Sequence, residues 1–280
     1  MTFRLERFEL ITRKGNVKNL KQYTGQLSVA QIAAGMNHCQ DNAARLLQAA
    51  RTLYKLKDYA TSVSLAVLAI EEAGKLPILR RMLTAIDEGE VRQCWKEFRS
   101  HCLKNGQAKF LACVKSTVRL DDLRCTVEKT DENQKLDDLK QAGFYVDCVG
   151  NAGWMSPVET ITDEIAAAMV LIASIVCSSG KPTQVRELEL WKETVGTCPH
   201  GTLVEMKNQV VQWHRRMEEE GLSQPDPGFE KFVMEGVEVS DMAGCKVAEC
   251  MMSVMSDELS IDSVWKKVIM QMAKGARGRE

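Results

Sequence analysis

No stretch of this sequence is apolar for long enough to cross a bilayer. The longest run, IAAAMVLIASIVC from Ile165 to Cys177, has 13 residues, whereas a spanning helix needs about 20. It reads as a core helix, and with no signal peptide, transit segment or lipidation signal the chain is expected to be cytoplasmic, without a membrane partner. Cys-x-x-Cys pairs are also missing: the ten cysteines follow no metal or disulfide spacing and read as reduced packing residues. Bulk charge is lacking as well. With 37 basic and 38 acidic side chains the net charge is -1, which excludes a protein that coats nucleic acid through charge alone. Basic residues gather only at the ends, in Arg4, Arg7, Arg13, Lys14, Lys18 and Lys21 and in Lys274, Arg277 and Arg279. There is no Gly-x-Ser-x-Gly elbow, glycine-rich phosphate loop, His-Glu-x-x-His or Glu-x-x-His pair.

Strand-type alternation is hard to find after about residue 12, while apolar residues recur at helical spacing almost everywhere. The fold class is therefore all-α, and 280 residues at 45% hydrophobic suffice for a substantial core. A first helix is expected over 28–56, with Leu46, Leu53, Ala43, Ala44, Ala49 and Ala50 facing inward. A second, over 59–75, is apolar nearly all round and so central to the bundle, and Pro77 should kink or end it. A third, over 90–103, puts Val91, Cys94, Trp95, Phe98 and Cys102 on one face, and 105–140 reads as a charged helical connection. GFYVDCVGNAGWMSP should be an ordered loop with aromatic anchors, closed by Ser156 as N-cap, Pro157 at the first helical position and Glu159 as capping-box partner of a helix reaching Ser178. The boundary at 178–182 precedes an amphipathic helix through Leu203, Met206, Val210, Trp213 and Met217, a linker at 221–228, and helices over 240–255 and 257–273.

Three places could carry chemistry. Glu71 and Glu72 end an otherwise apolar helix, where carboxylates need partners. Lys75 stands at i+4 and i+3 from them, so they form either a helix-end ion pair or one wall of a polar cleft that positions a cation, water or hydroxyl. His101, at the border of the third helix's apolar stripe with Lys104 at i+3, is either a packed histidine or a general acid/base whose lysine steadies phosphate charge. Tyr145 and Asp147 in the FYVD loop form either a structural turn or an inward-turned acid. No spacing supports a metal site.

The segments LSVAQIAAGMNHCQDNAARLLQAARTLYKLKDYATSVSLAVLAIEEAGKLPIL, FRSHCLK and FYVDCVGNAGWMSPVETITDEIA, in that order, resemble the AbiV family of bacterial abortive-infection proteins, which is similar to the HEPN superfamily of helical domains. The resemblance covers about 27–178, and it implies a HEPN-like antiparallel bundle over that span, after a basic segment at 1–26 and before a helical extension at 179–280 packed on it. It further implies anti-phage defence, either by a metal-independent, cofactor-free endoribonuclease or RNA binder acting as a homodimer, or by a module that binds a phage or host protein. Carried over, the pattern falls on Glu71, Glu72, Lys75, His101, Lys104, Tyr145 and Asp147. Catalysis would use His101, Lys104, Glu72 and Lys75, with Glu71, Tyr145 and Asp147 in binding. HEPN nucleases carry Arg-x(4 to 6)-His; here Arg99 has one residue before His101 and Arg92 has eight, so that motif is not present.

Overall fold

The computed structural model describes residues 22–115, 130–150, 152–178, 181–198 and 201–235. The helices expected over 240–255 and 257–273, and the basic residues of 1–21 and 274–280, lie outside the described residues.

Ser28 starts α1, Val29–Lys55, through a capping box with Gln31. Its buried stripe is Ile32, Ala33, Met36, Cys39, Ala43, Leu47 and Ala50. That corrects the expected inward face: Ala44 is exposed, and Leu46, Ala49 and Leu53 are half-buried. The turn at Leu56 and Lys57, with Lys57 in the left-handed region at φ 63, reverses the chain into α2, Tyr59–Ala73, which Asp58 caps through the Thr61 amide. Ten of the fifteen α2 residues are buried, as an all-round apolar pattern requires, and the helix packs against α1 and five later helices. Small side chains allow this. Ser62 donates to Ala50 O of α1 at 2.8 Å, and Ser64 donates to Lys140 O at 2.9 Å.

The chain then bends at Gly74, not at Pro77. α3, Lys75–Leu83, begins directly after Gly74, and Pro77 sits in its first turn, where a missing amide hydrogen costs nothing. The helix expected over 90–103 is two helices: α4, Glu88–Arg99, and α5, His101–Lys115, parted by Ser100 in an extended conformation. After 116–129, which are not described, α6 spans Thr130–Phe144. β1, Asp147–Val149, and β2, Gly153–Met155, then form an antiparallel hairpin. It corrects the expected anchored loop, since Tyr145 and Trp154 are 61% and 70% exposed.

Ser156 does precede a helix with Pro157 first, but α7, Pro157–Thr160, is one turn long and Ser156 makes no side-chain cap bond. Thr162 caps the long helix instead, accepting from the Ile165 amide, and α8 runs Asp163–Val176. α8 lies against α2 and supplies Ile165, Ala166, Met169, Ile172, Ala173 and Val176 to the main core. Each of the isoleucine, methionine and valine side chains contributes about 1.5–3 kcal/mol on burial. α9, Val185–Thr194, packs on α1 and α3, and α10, Leu203–Glu219, packs on α9. Arg80 of α3 pairs with Glu187 and lies over the rings of Trp191 and Trp213, at 4.8 and 5.6 Å. α11 is Phe229–Glu235. The architecture is an all-α bundle, and no helix among the described residues is long and apolar enough to cross a membrane.

Candidate functional site: a buried carboxylate beneath a half-exposed histidine

Glu71 is the anomaly of α2, a carboxylate only 2% exposed among the most apolar residues of the chain. Such a charge persists only with partners, and two helices supply three of them. His101, the first residue of α5, has Nδ1 2.6 Å from Glu71 Oε2, and Lys104, one turn on, has Nζ 3.3 Å from the same oxygen. Lys140 of α6 donates to Glu71 Oε1 at 2.8 Å and lies 2.5 Å from Asp137 Oδ1 and 3.2 Å from His101 Nδ1. Burial pushes the Glu71 carboxyl up, but the bonds from Lys140 and His101 and the nearby positive charges outweigh it and hold the group below its ordinary range. Burial likewise opposes the Lys140 charge, and the bonds to Asp137 and Glu71 outweigh it, so its pKa is raised.

Close helix approach makes these contacts possible. A Cβ on Gly74 would collide with the Lys104 carbonyl, lying 2.9 Å from its carbon, and one on Gly143 would lie 2.6 Å from Ala60 O. Glycine at Gly74 lets α5 press against the end of α2 one turn from Glu71, and glycine at Gly143 lets α6 press against the start of α2.

The four side chains differ in exposure. Glu71, Lys140 and Lys104 are 2%, 5% and 7% exposed, whereas the His101 side chain is 52% exposed. The imidazole thus turns one nitrogen to the buried carboxylate and its outer edge to solvent, where Nε2 has no partner among the described residues. At 2.6 Å from a carboxylate oxygen, Nδ1 is placed to donate its proton to Glu71 Oε2. Lys140 donates to Glu71 Oε1 and forms an ion pair with Asp137; with the proton on Nδ1, its 3.2 Å approach to that nitrogen is a contact and not a hydrogen bond. In the Nδ1–H tautomer that such a contact favours, Nε2 is the nitrogen with the lone pair a general base needs.

Of the seven residues picked from sequence, the structure brings together Glu71, His101 and Lys104. Glu72 does not join them. Successive residues on a helix diverge by about 100°, and Glu72 pairs at 2.5 Å with Lys75, whose ammonium lies 4.9 Å from the Phe98 ring centroid. Lys104 and Lys75 are buried, at 7% and 16% exposed, and each is turned to a glutamate of α2, which sets them against meeting a phosphate. Tyr145 and Asp147 lie on the hairpin, outside the cluster: α6 ends at Phe144, and the exposed Asp147 carboxylate turns back to accept from its neighbour's amide, Cys148 N, at 2.7 Å. Arg92 pairs with Glu88, and Arg99 donates to Tyr23 O and stacks on Trp95. Sequence reasoning missed Asp137 and Lys140. The signal was present, since both fall within the stripe of Leu136, Leu139 and Ala142 that α6 buries, where a charged residue must have a partner.

Glu71, His101 and Asp137 each offer a ligand atom, all within 4.8 Å of one another, and Lys140 Nζ stands among them. Two amide oxygens near these positions in sequence, Asn105 Oδ1 and Asn133 Oδ1, are buried without a hydrogen-bond donor, while Asn105 Nδ2 donates to Asn133 O at 3.2 Å. The interior between α5 and α6 is polar well beyond one ion pair.

No curated protein and no solved structure matches this chain. The AbiV family model, of the HEPN group, matches residues 31–178, a span that runs from the first turn of α1 to just beyond α8 and contains every member of the cluster. More than half of the 280 residues fall inside that match, and this chain belongs to the AbiV family of HEPN domains.

Proposed function

We propose that this chain serves abortive-infection defence by cleaving RNA, with His101 as the acid/base group and Glu71 as the residue that orients it. The observation that carries the reading is the 2.6 Å contact of His101 Nδ1 with a buried carboxylate in a ring that is 52% exposed. Nε2 takes the proton of a ribose 2′-hydroxyl, the 2′-oxygen attacks the adjacent phosphorus, and the bond to the 5′-oxygen breaks. A 2′,3′-cyclic phosphate and a 5′-hydroxyl result, the leaving oxygen taking up a proton. Glu71 stabilises the imidazolium formed on the way. His101 opens α5; Ser100 takes up the Leu103 and Lys104 amides through its Oγ and its carbonyl, and the amides of His101 and Cys102 are left beside the ring to meet a phosphate oxygen. Lys104 and Lys140 act from below by holding Glu71. The chain acts as a homodimer, as the family resemblance implies.

Purified protein is expected to cleave tRNA, mRNA or phage transcripts in the presence of EDTA, leaving cyclic-phosphate ends. His101→Ala should remove cleavage with the circular-dichroism spectrum unchanged. Blank assays on all three RNA classes sink the reading.

One observation favours a second reading, a module that binds a phage or host protein. The hairpin and the turn after it expose Tyr145, Val146, Trp154 and Val158 at 61%, 62%, 70% and 84%, an unusual density of apolar surface. On that reading Trp154→Ser abolishes protection against phage and His101→Ala spares it. The reverse result removes it.

A further inference from the structure

Glu71, His101 and Asp137 have the composition of a cation site, two carboxylates and an imidazole with ligand atoms within 4.8 Å of one another. What stands among them is an ammonium. Lys140 Nζ is 2.8 Å from Glu71 Oε1, 2.5 Å from Asp137 Oδ1 and 3.2 Å from His101 Nδ1, within reach of all three donor atoms. It is fixed there, because the Lys140 side chain is 5% exposed and the carboxylate beneath it 2%. Among the described residues the one other cation on the group is Lys104, at 3.3 Å from Oε2.

We propose that Lys140 supplies from inside the fold the positive charge that this Glu-His-Asp cluster would otherwise take from a divalent metal ion, and that it is a positioning residue for His101. A metal in its place would take the Nδ1 lone pair and leave the proton on Nε2, turning the outward nitrogen from a base into a donor. The lysine has the opposite effect. By engaging Oε1 it leaves Oε2 to accept Nδ1–H, and Nε2 stays basic. The cluster works with no metal, and a metal bound there is inhibitory. That last consequence rests on the reading of His101 as the acid/base group, whereas the occupancy claim does not.

The test reads cation binding and tautomer, not cleavage. Full-length wild type, Lys140→Ala and the double variant Lys140→Ala with Glu71→Gln are titrated with Mn2+, which thiolates bind poorly, while the His101 ring is followed by 15N and 1H NMR. Lys140→Ala is expected to bind one Mn2+ that broadens the His101 ring signals, at least about 100-fold more tightly than wild type, because an ammonium within roughly 4 Å of a cation opposes it by several powers of ten even at an effective dielectric of about 20. The double variant should lose that binding. Wild type should show ring nitrogens protonated at Nδ1. If Lys140→Ala folds only when Mn2+ is added, the metal has replaced the ammonium, and the proposal holds. It falls if wild type shows the same Mn2+ broadening, if folded Lys140→Ala shows none, if that variant stays unfolded with and without Mn2+, or if wild-type His101 carries its proton on Nε2. An inactive protein with these expected signals would refute the ribonuclease reading alone.

Discussion

Replacing Glu71 by Gln keeps the shape of the side chain and removes one charge from an interior that is otherwise balanced. Glu71 and Asp137 face Lys104 and Lys140; after the change two buried ammonium groups share one carboxylate. Breaking a buried pair by removing one partner costs about 3–5 kcal/mol. The lower end applies, about 3 kcal/mol, because Asp137 still holds Lys140 at 2.5 Å. The neighbouring Glu72→Gln is the control, with the same chemistry one residue along in an i,i+3 pair whose side chains are 18% and 16% exposed. It should cost about 1 kcal/mol. In urea denaturation followed by circular dichroism, with slopes of roughly 1–3 kcal/mol per molar, Glu71→Gln should lower the midpoint by about 1–3 M and Glu72→Gln far less.

The same pair of curves taken against pH carries a sign. The Glu71 carboxyl is held below its ordinary 4.5 because bonds from Lys140 and His101 outweigh the upward effect of burial. Its contribution is therefore complete above 4.5, the unfolded value, and is lost as pH falls through the lower folded value. The gap between wild type and Glu71→Gln should be flat from about pH 5 to 8 and shrink below that. At the alkaline end the raised Lys140 pKa gives the mirror case, stability present below 10.5 and lost as pH climbs through the folded value. A Glu71→Gln penalty under about 1 kcal/mol, a penalty equal to that of Glu72→Gln, or a gap that widens on acidification would each refute the reasoning.

Three further outcomes follow from other contacts. Gly74→Ala forces a Cβ against the Lys104 carbonyl, a backbone group that cannot swing aside, so a loss of about 1–3 kcal/mol is expected in thermal melts, and a neutral result would contradict the packing of α5 on the α2–α3 bend. Arg80→Ala removes the ion pair with Glu187 and the cation over Trp191 and Trp213; tryptophan fluorescence should change and protease cleavage around 178–184 should quicken at denaturant levels that leave the main helical signal intact. Burial pushes the Cys39 thiol up to about 11, and Cys148 is exposed on the hairpin, so iodoacetamide at pH 8 read by peptide mass spectrometry should mark Cys148 early and Cys39 only on unfolding. Equal labelling of both in the folded protein would overturn that burial.

The helices were legible where one residue's preference settles a boundary. Ser28 with Gln31 marks the start of α1, and an all-round apolar α2 announces its central place. Breaks made by tertiary contact were not legible. α2 ends at Gly74, where Lys104 of α5 leaves no room for a Cβ, a neighbour 30 residues away that no local pattern names, and Ser100 parts α4 from α5 without proline or glycine. The Ser156 cap bond did not form, and Thr162, six residues on, caps the long helix instead. In the site, sequence reading identified the right kinds of residue more often than the right residues. The helix-end pair of Lys75 with Glu72 formed as expected, but it stands apart from the cluster: Glu71 is held by Lys140 of α6 as well as by Lys104, and the aspartate that joins the cluster is Asp137 of α6, not Asp147. Local spacing favours the i+3 partner, and only the fold shows that α6 crosses Glu71.

Why a carboxylate stands in α2 at all is a question of energetics. An apolar residue of similar volume, with apolar partners in place of Lys104 and Lys140, would hold α2, α5 and α6 together at least as well, because replacing a buried ionic cluster by packed hydrophobic groups is often neutral or stabilising by about 1–4 kcal/mol. Stability alone therefore does not account for the cluster, nor for the two unsatisfied amide oxygens of Asn105 and Asn133 beside it. Its members are unequal in one respect. Every charged group below His101 is at least four-fifths buried, and the imidazole they converge on is half exposed. A carboxylate fixed by two ammonium groups cannot rotate away from Nδ1, so the tautomer and the direction of the ring are set before any ligand arrives. The cost of burying these charges is thus directed at a single outward-facing nitrogen, an arrangement that a purely structural ion pair has no need to make.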